Sequence, residues 1–119
     1  MKLTDDQITE NWTKLLNIVE TNFTGERKDN LLAMYDFFQE RMIIAPASGL
    51  EHYHNCFEGG YVDHVIRVVE CATKLDIAWN EMDAQSDSYS KEELIFAALH
   101  HDLGKVGDRE NPYYVPNPS

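Results

Sequence analysis

The sequence predicts an all-α fold, a bundle of amphipathic helices. Apolar residues recur at helical spacing in four stretches, and two of these open on a Thr or Ser followed three residues later by Gln or Glu. No stretch of useful length alternates apolar and polar residues as a half-buried strand would. With 119 residues, 43% of them apolar and 11% aromatic, the chain has the size and the apolar content of a single core, so residues 1–119 are expected to form one domain.

The first helix is expected over roughly residues 5–21, opened by the capping box of Thr4 and Gln7 and marked by Ile8, Trp12, Leu15, Leu16 and Val19. Asn22 to Gly25 reads as a break. Leu31, Leu32, Met34, Tyr35, Phe38 and Met42 then mark one broad face of a second helix, which must end before Pro46 because the residue preceding proline is pushed out of helical geometry. Residues 46–60, with Pro, Gly, Ser, Asn and two of the five histidines, keep no steady period and read as loop. From Tyr61, the series Val62, Val65, Ile66, Val69, Cys71, Ala72, Leu75 and Trp79 predicts a long third helix, entered through two glycines and carrying His64 near its start. Residues 82–90 read as a linker. Ser90 and Glu93 open a fourth helix through Leu94, Ile95, Ala97, Ala98 and Leu99, with His100, His101 and Asp102 at its C-terminal end and Gly104 and Gly107 to stop it. The tail after Gly107 holds three prolines and cannot continue a helix; it reads as a loop leading to a further element.

Charge narrows the function classes. Against 10 basic residues stand 21 acidic ones, a formal net charge of -11, so the average field repels nucleic acid and anionic lipid. Duplex binding would need clustered Lys and Arg that the sequence does not show. A phosphate-bearing substrate would have to be drawn in locally, by a metal or a few placed cations. Cys56 and Cys71 form no Cys-x-x-Cys pattern and are too few for a disulfide framework, no signal peptide is visible, and no window approaches a membrane span; a cytoplasmic location with no membrane partner is the expectation.

His64 and the adjacent His101 and Asp102 lie near the ends of two different predicted helices, where their side chains can turn into one pocket. Neutral imidazole together with carboxylate suits Mn, Fe, Ni, Zn or Mg, and the nitrogen donors weigh against a site built for Mg or Ca alone. An ion held this way can make water nucleophilic near neutral pH and polarise a phosphoryl oxygen.

The segments GGYVDHVIRVV and AALHHDLGKVG resemble the two signature helices of the HD superfamily of metal-dependent phosphohydrolases. The resemblance places that family's first His on His64, its His-Asp pair on His101 and Asp102, and the Lys of its His-Asp-x-Gly-Lys variant on Lys105. PASGLEHYHNCFEGGYVDH is further similar to a branch containing bacterial exoribonucleases and relaxase-associated HD domains, and the Asn-Pro-Tyr-Tyr tail is similar to HD proteins of tailed phages. The likeness covers roughly residues 45–107. It implies an HD-like helical bundle, a divalent metal ion as cofactor and a nucleotide or other phosphate ester as substrate. It also implies a last Asp ligand on a later helix; Asp108, the only aspartate after Asp102, is too close to it to serve. The bundle is therefore expected to lack the family's C-terminal helices, and apolar faces left uncovered would favour a homo-oligomer.

Each residue has a plainer alternative. His-Asp alone is often a helix-end pair favoured by the macrodipole. His100, about a third of a turn from His101, is expected to pack or face solvent rather than bind the metal. His52 and His54 can serve as second-metal or phosphate-binding groups, or be ordinary loop histidines. Lys105 can neutralise phosphoryl oxygens, or be a cation placed after a helix C-terminus. Asp63 and Arg67 have the spacing of a surface ion pair worth about 0.3–0.5 kcal/mol. Trp12, Phe37, Phe38, Trp79 and Phe96 are expected in the core rather than on a base-stacking platform. Two functions follow: hydrolysis of a nucleotide-type phosphomonoester or phosphodiester, with Asp102 and Lys105 in the catalytic set, or a catalytically inactive HD module that binds metal, nucleotide or a protein partner.

Overall fold

Four helices follow one another in the computed structural model, which describes residues 2–47, 57–82 and 89–107, with Lys105 described by its backbone alone. They are α1 (Asp5–Asn22), α2 (Gly25–Ile44), α3 (Gly60–Glu81) and α4 (Lys91–His100), and a short 3-10 turn (Leu103–Val106) follows α4. No strand occurs among the described residues, so the fold is all-α as the sequence predicts.

Local chemistry fixes several of the helix ends. At α1 the Thr4 hydroxyl accepts the Gln7 N–H at 3.1 Å and the Gln7 side-chain oxygen accepts the Thr4 N–H at 2.9 Å, which closes the expected capping box. The chain leaves α1 through extended Phe23, whose ring is buried, and re-enters helix directly after Thr24. Ala45, at ψ 136°, ends α2 in the extended conformation that Pro46 demands. Ser90 caps α4 by accepting the Glu93 N–H at 3.1 Å, while the Glu93 carboxylate takes the Ser90 hydroxyl at 3.4 Å. After His100 the chain tightens into the 3-10 turn and leaves it at Gly107, whose φ of 94° suits glycine. Gly104 lies inside that turn with open space where a Cβ would stand, so the end of α4 is not set by it.

The core forms where the four apolar stripes meet. Leu15 and Val19 of α1, Tyr35 and Met42 of α2, Val62 and Val65 of α3 and Leu99 of α4 are all at most 2% exposed. Two edge-to-face ring pairs tie separate elements together, Trp12 of α1 on Tyr35 of α2 and Phe23, just after α1, on Phe96 of α4, each with centroids 6.1 Å apart. The start of α3 is tied to the end of α2 by two backbone bonds, Gly59 N–H to Ile44 O and Tyr61 N–H to Ala45 O.

Gly59 makes that junction possible. It precedes α3 at φ 80°, and a Cβ there would meet Ile8 Cγ1 of α1 at 2.8 Å. Gly59→Ala therefore combines left-handed backbone strain with a steric clash and should cost roughly 2–4 kcal/mol, read as a lowered midpoint in urea unfolding.

Two expectations about packing fail. The third helix was expected to bury its stripe as far as Trp79, yet its buried residues stop at Val69, and Leu75, Trp79 and Met82 are 54%, 49% and 67% exposed. The reason is length: α3 has 22 residues and α4 only 10, about 33 Å against about 15 Å, so α4 runs out before α3 does. Phe37 is likewise exposed, stacked edge-on against half-buried Phe38 at the surface of α2.

Candidate metal centre

Three donor side chains meet where the start of α3 passes the end of α4. His64 is the fifth residue of α3, His101 is the residue that caps α4, and Asp102 is the first to leave helical geometry, at φ -116° and ψ 20°. That departure turns the Asp102 carboxylate back toward the imidazole beside it. His101 Nε2 lies 3.0 Å from Asp102 Oδ2, His64 Nε2 lies 3.5 Å from the same oxygen, and the two Nε2 atoms are 3.3 Å apart.

This triangle has the dimensions of a coordination site. Donors about 2.1 Å from one ion stand about 3.0 Å apart at right angles and about 3.4 Å apart at tetrahedral angles. The three measured separations fall at those values, and all three side chains are partly exposed, leaving a side from which water or substrate can approach. The donor set, two imidazole nitrogens and a carboxylate oxygen, fits a divalent transition ion. Among the described residues this is the one group of three such side chains close enough to share an ion.

The tautomer of His101 is set by its surroundings. Its Nδ1 is 2.8 Å from the Ala98 carbonyl oxygen, which can only accept, so Nδ1 carries the proton and Nε2 presents its lone pair to the triangle. No neighbouring position in the sequence hints at this bond, because it arises from the helix end itself.

His100 is turned the other way, into the protein, as its spacing predicts. Its Nδ1–H donates to Phe96 O at 2.7 Å, and its Nε2 accepts the Tyr35 hydroxyl at 3.0 Å, linking the end of α4 to the middle of α2. Burial lowers the pKa of His100; the Phe96 carbonyl opposes the shift, and the positive Arg27, whose guanidinium lies over the Phe96 ring, adds to it. Burial first, then the neighbouring Tyr61, pushes the Tyr35 hydroxyl up, and burial first, then Asp102, pushes Tyr61 up; both stay protonated donors at neutral pH. Tyr35, placed by the sequence on an apolar face, thus carries a polar link to α4, and Tyr61, at the start of α3, lies close enough to Asp102 to feel its charge.

The lowered pKa of His100 has a definite sign in stability. The unfolded chain binds a proton at His100 at a higher pH than the folded chain does. Its contribution is present above the unfolded value near 6.5 and is lost as pH falls through the lower folded value. In metal-free protein, the fall in melting temperature between pH 7 and pH 5 should be shallower in His100→Gln than in the parent.

Of the other residues the sequence singled out, Asp63 and Arg67 form the expected ion pair at 3.1 Å, with the Arg67 side chain largely in solvent. The backbone of Lys105 sits in the 3-10 turn directly after Asp102, and its side chain lies outside what is described. His52 and His54 lie outside the described residues. No helix among the described residues is long and apolar enough to cross a membrane. No protein-family model, curated protein or solved structure matches the chain.

Proposed function

We propose that the protein is a metal-dependent phosphohydrolase of HD type, acting on a nucleotide-type phosphomonoester or phosphodiester. The observation that carries the proposal is the donor triangle of His64, His101 and Asp102, whose spacing suits one divalent ion, in the sequence context of His-Asp-Leu-Gly-Lys. A divalent ion bound by these residues would supply Lewis acidity, the chemistry that makes water nucleophilic near neutral pH and withdraws charge from a phosphoryl oxygen. His64 and His101 are the neutral nitrogen donors, and the Ala98 carbonyl holds the His101 ring in the donor tautomer. Asp102 is the anionic donor, placed to take up a proton from water or to reach a second ion. Lys105, three residues after Asp102, is the cation assigned to the phosphoryl oxygens, and in a protein of net charge -11 such local cations must offset the general field.

Three donors among the described residues also favour a second reading, an HD module that binds metal, nucleotide or a protein partner without turnover. One experiment separates the two. The purified chain is loaded with Mn or Ni, its metal content is measured, and hydrolysis of p-nitrophenyl phosphate and bis(p-nitrophenyl) phosphate is followed. Stoichiometric metal with turnover supports the enzyme, stoichiometric metal without turnover the metal-binding module, and no retained metal removes the enzyme and leaves only a module that binds nucleotide or a protein partner.

A further inference from the structure

Beyond Val69, α3 carries a second apolar stripe that no other described element covers. Cys71, Leu75, Ala78 and Met82 follow one another at steps of 4, 3 and 4, alternating d and a positions of a heptad pattern, with Val68, itself packed against the core, at the preceding a position and Trp79 beside them at an e position. Leu75 and Met82 are more than half exposed, Trp79 is 49% exposed and Cys71 is exposed, while the side of α3 that faces α1 and α4 holds Ile66, Val69 and Thr73, with exposed Glu70 and Lys74 at its edges. A stripe with this spacing can pair with another helix. The flanking g positions are Arg67, Lys74 and Glu81, so charge decides how such a stripe can meet itself.

In a parallel pair, Lys74 would face Trp79 of the partner subunit across the g–e flank and gain no ion pair. In an antiparallel pair with Cys71 opposite Leu75, the two copies of Lys74 would be brought together and Met82 left outside. Shifting the antiparallel pair by one heptad sets Cys71 opposite Met82 and Leu75 opposite Ala78, covers the exposed residues, and puts each Lys74 beside Glu81 of the partner subunit. The two bodies then fall at opposite ends of the paired segment, because the packed half of each α3 points away from the other.

We propose that the C-terminal half of α3 is a self-association surface that pairs antiparallel with the same segment of a second copy, in the Cys71–Met82 and Lys74–Glu81 register. The paired segment is about twelve residues, about 18 Å, so the dimer belongs to the small, weak class of interfaces. The net charge of -11 on each copy opposes association at low salt; at 0.15 M salt, with a Debye length of about 8 Å, the whole-body repulsion is screened while the direct Lys74–Glu81 contacts persist. The surface is separate from the donor triangle and does not depend on the proposed chemistry.

The test uses the full chain with Cys56→Ser throughout, in 0.15 M salt under mild oxidation. Cys71 and a cysteine at position 82 are about 16 Å apart along one helix and cannot bridge within a chain. Met82→Cys should therefore give a covalent dimer on a non-reducing gel, several-fold above the level of the chain carrying Cys71 alone. In light scattering, Lys74→Glu should weaken the non-covalent dimer roughly five- to tenfold by setting Glu against Glu twice, and Lys74→Glu with Glu81→Lys should restore it. The proposal is overturned if Cys71 alone bridges as readily as Met82→Cys, which indicates a parallel or random encounter. It is equally overturned if the parent chain is monomeric at all concentrations and neither cysteine form bridges, which indicates that another segment or another protein covers the stripe.

Discussion

Asp102→Ala, His64→Ala and His101→Ala are each expected to lower the affinity of the chain for Mn or Ni by at least about a hundredfold, with Glu70→Gln, on the exposed side of α3, as the unaffected control. The size of the effect follows from geometry. Three donors 3.0–3.5 Å apart would act as one chelate, and removing any of them would leave two, a set that surface side chains commonly provide. Loss of a group that merely orients a ligand already costs 10- to 100-fold, so loss of a ligand should exceed that. Isothermal titration of metal-free protein measures it. Equal affinity in Asp102→Ala and the parent would remove Asp102 from the ligand set and with it the proposed mechanism.

Leu99→Ala is expected to destabilise the fold by about 3–5 kcal/mol. Leu99 is fully buried in the one turn of α4 that precedes the ligands, and truncation there removes apolar burial and leaves a cavity. For a domain with about 5–15 kcal/mol of stability this is a large fraction of the total, and the melting temperature should fall by about 15 °C or more. Leu75→Ala provides the contrast: at 54% exposure it should change the stability of the monomer by no more than about 0.5 kcal/mol. Calorimetry on the two variants ranks them, and similar values would contradict the packing described for α3.

The order and limits of the helices were legible because their signals are local. Thr4 with Gln7, Ser90 with Glu93 and Pro46 each act within a few residues, and the structure places helix ends where those residues require. Burial was legible only in part. Periodicity shows that α3 has an apolar face as far as Trp79, but the length of the neighbouring helix decides how much of that face is covered, and a ten-residue α4 covers only the first half. The triangle of His64, His101 and Asp102 joins residues 37 positions apart, and the family-like motifs named all three residues that meet there. The Tyr35–His100 bond spans 65 positions between two residues with no shared motif, so nothing local in the sequence announces it.

Two of the three donor side chains follow α4 directly and the third belongs to α3, so a divalent ion held by them would span the seam between these helices. Undocking α4 would then require releasing the ion. By thermodynamic linkage, free ion at a hundredfold excess over its dissociation constant raises the free energy of that local opening by about 2.7 kcal/mol. Amide hydrogens of Ile95 to Leu99 should accordingly exchange with solvent about a hundredfold more slowly when the ion is present, while those of Leu75 to Glu81, at the far end of α3 beyond the reach of α4, keep their rates.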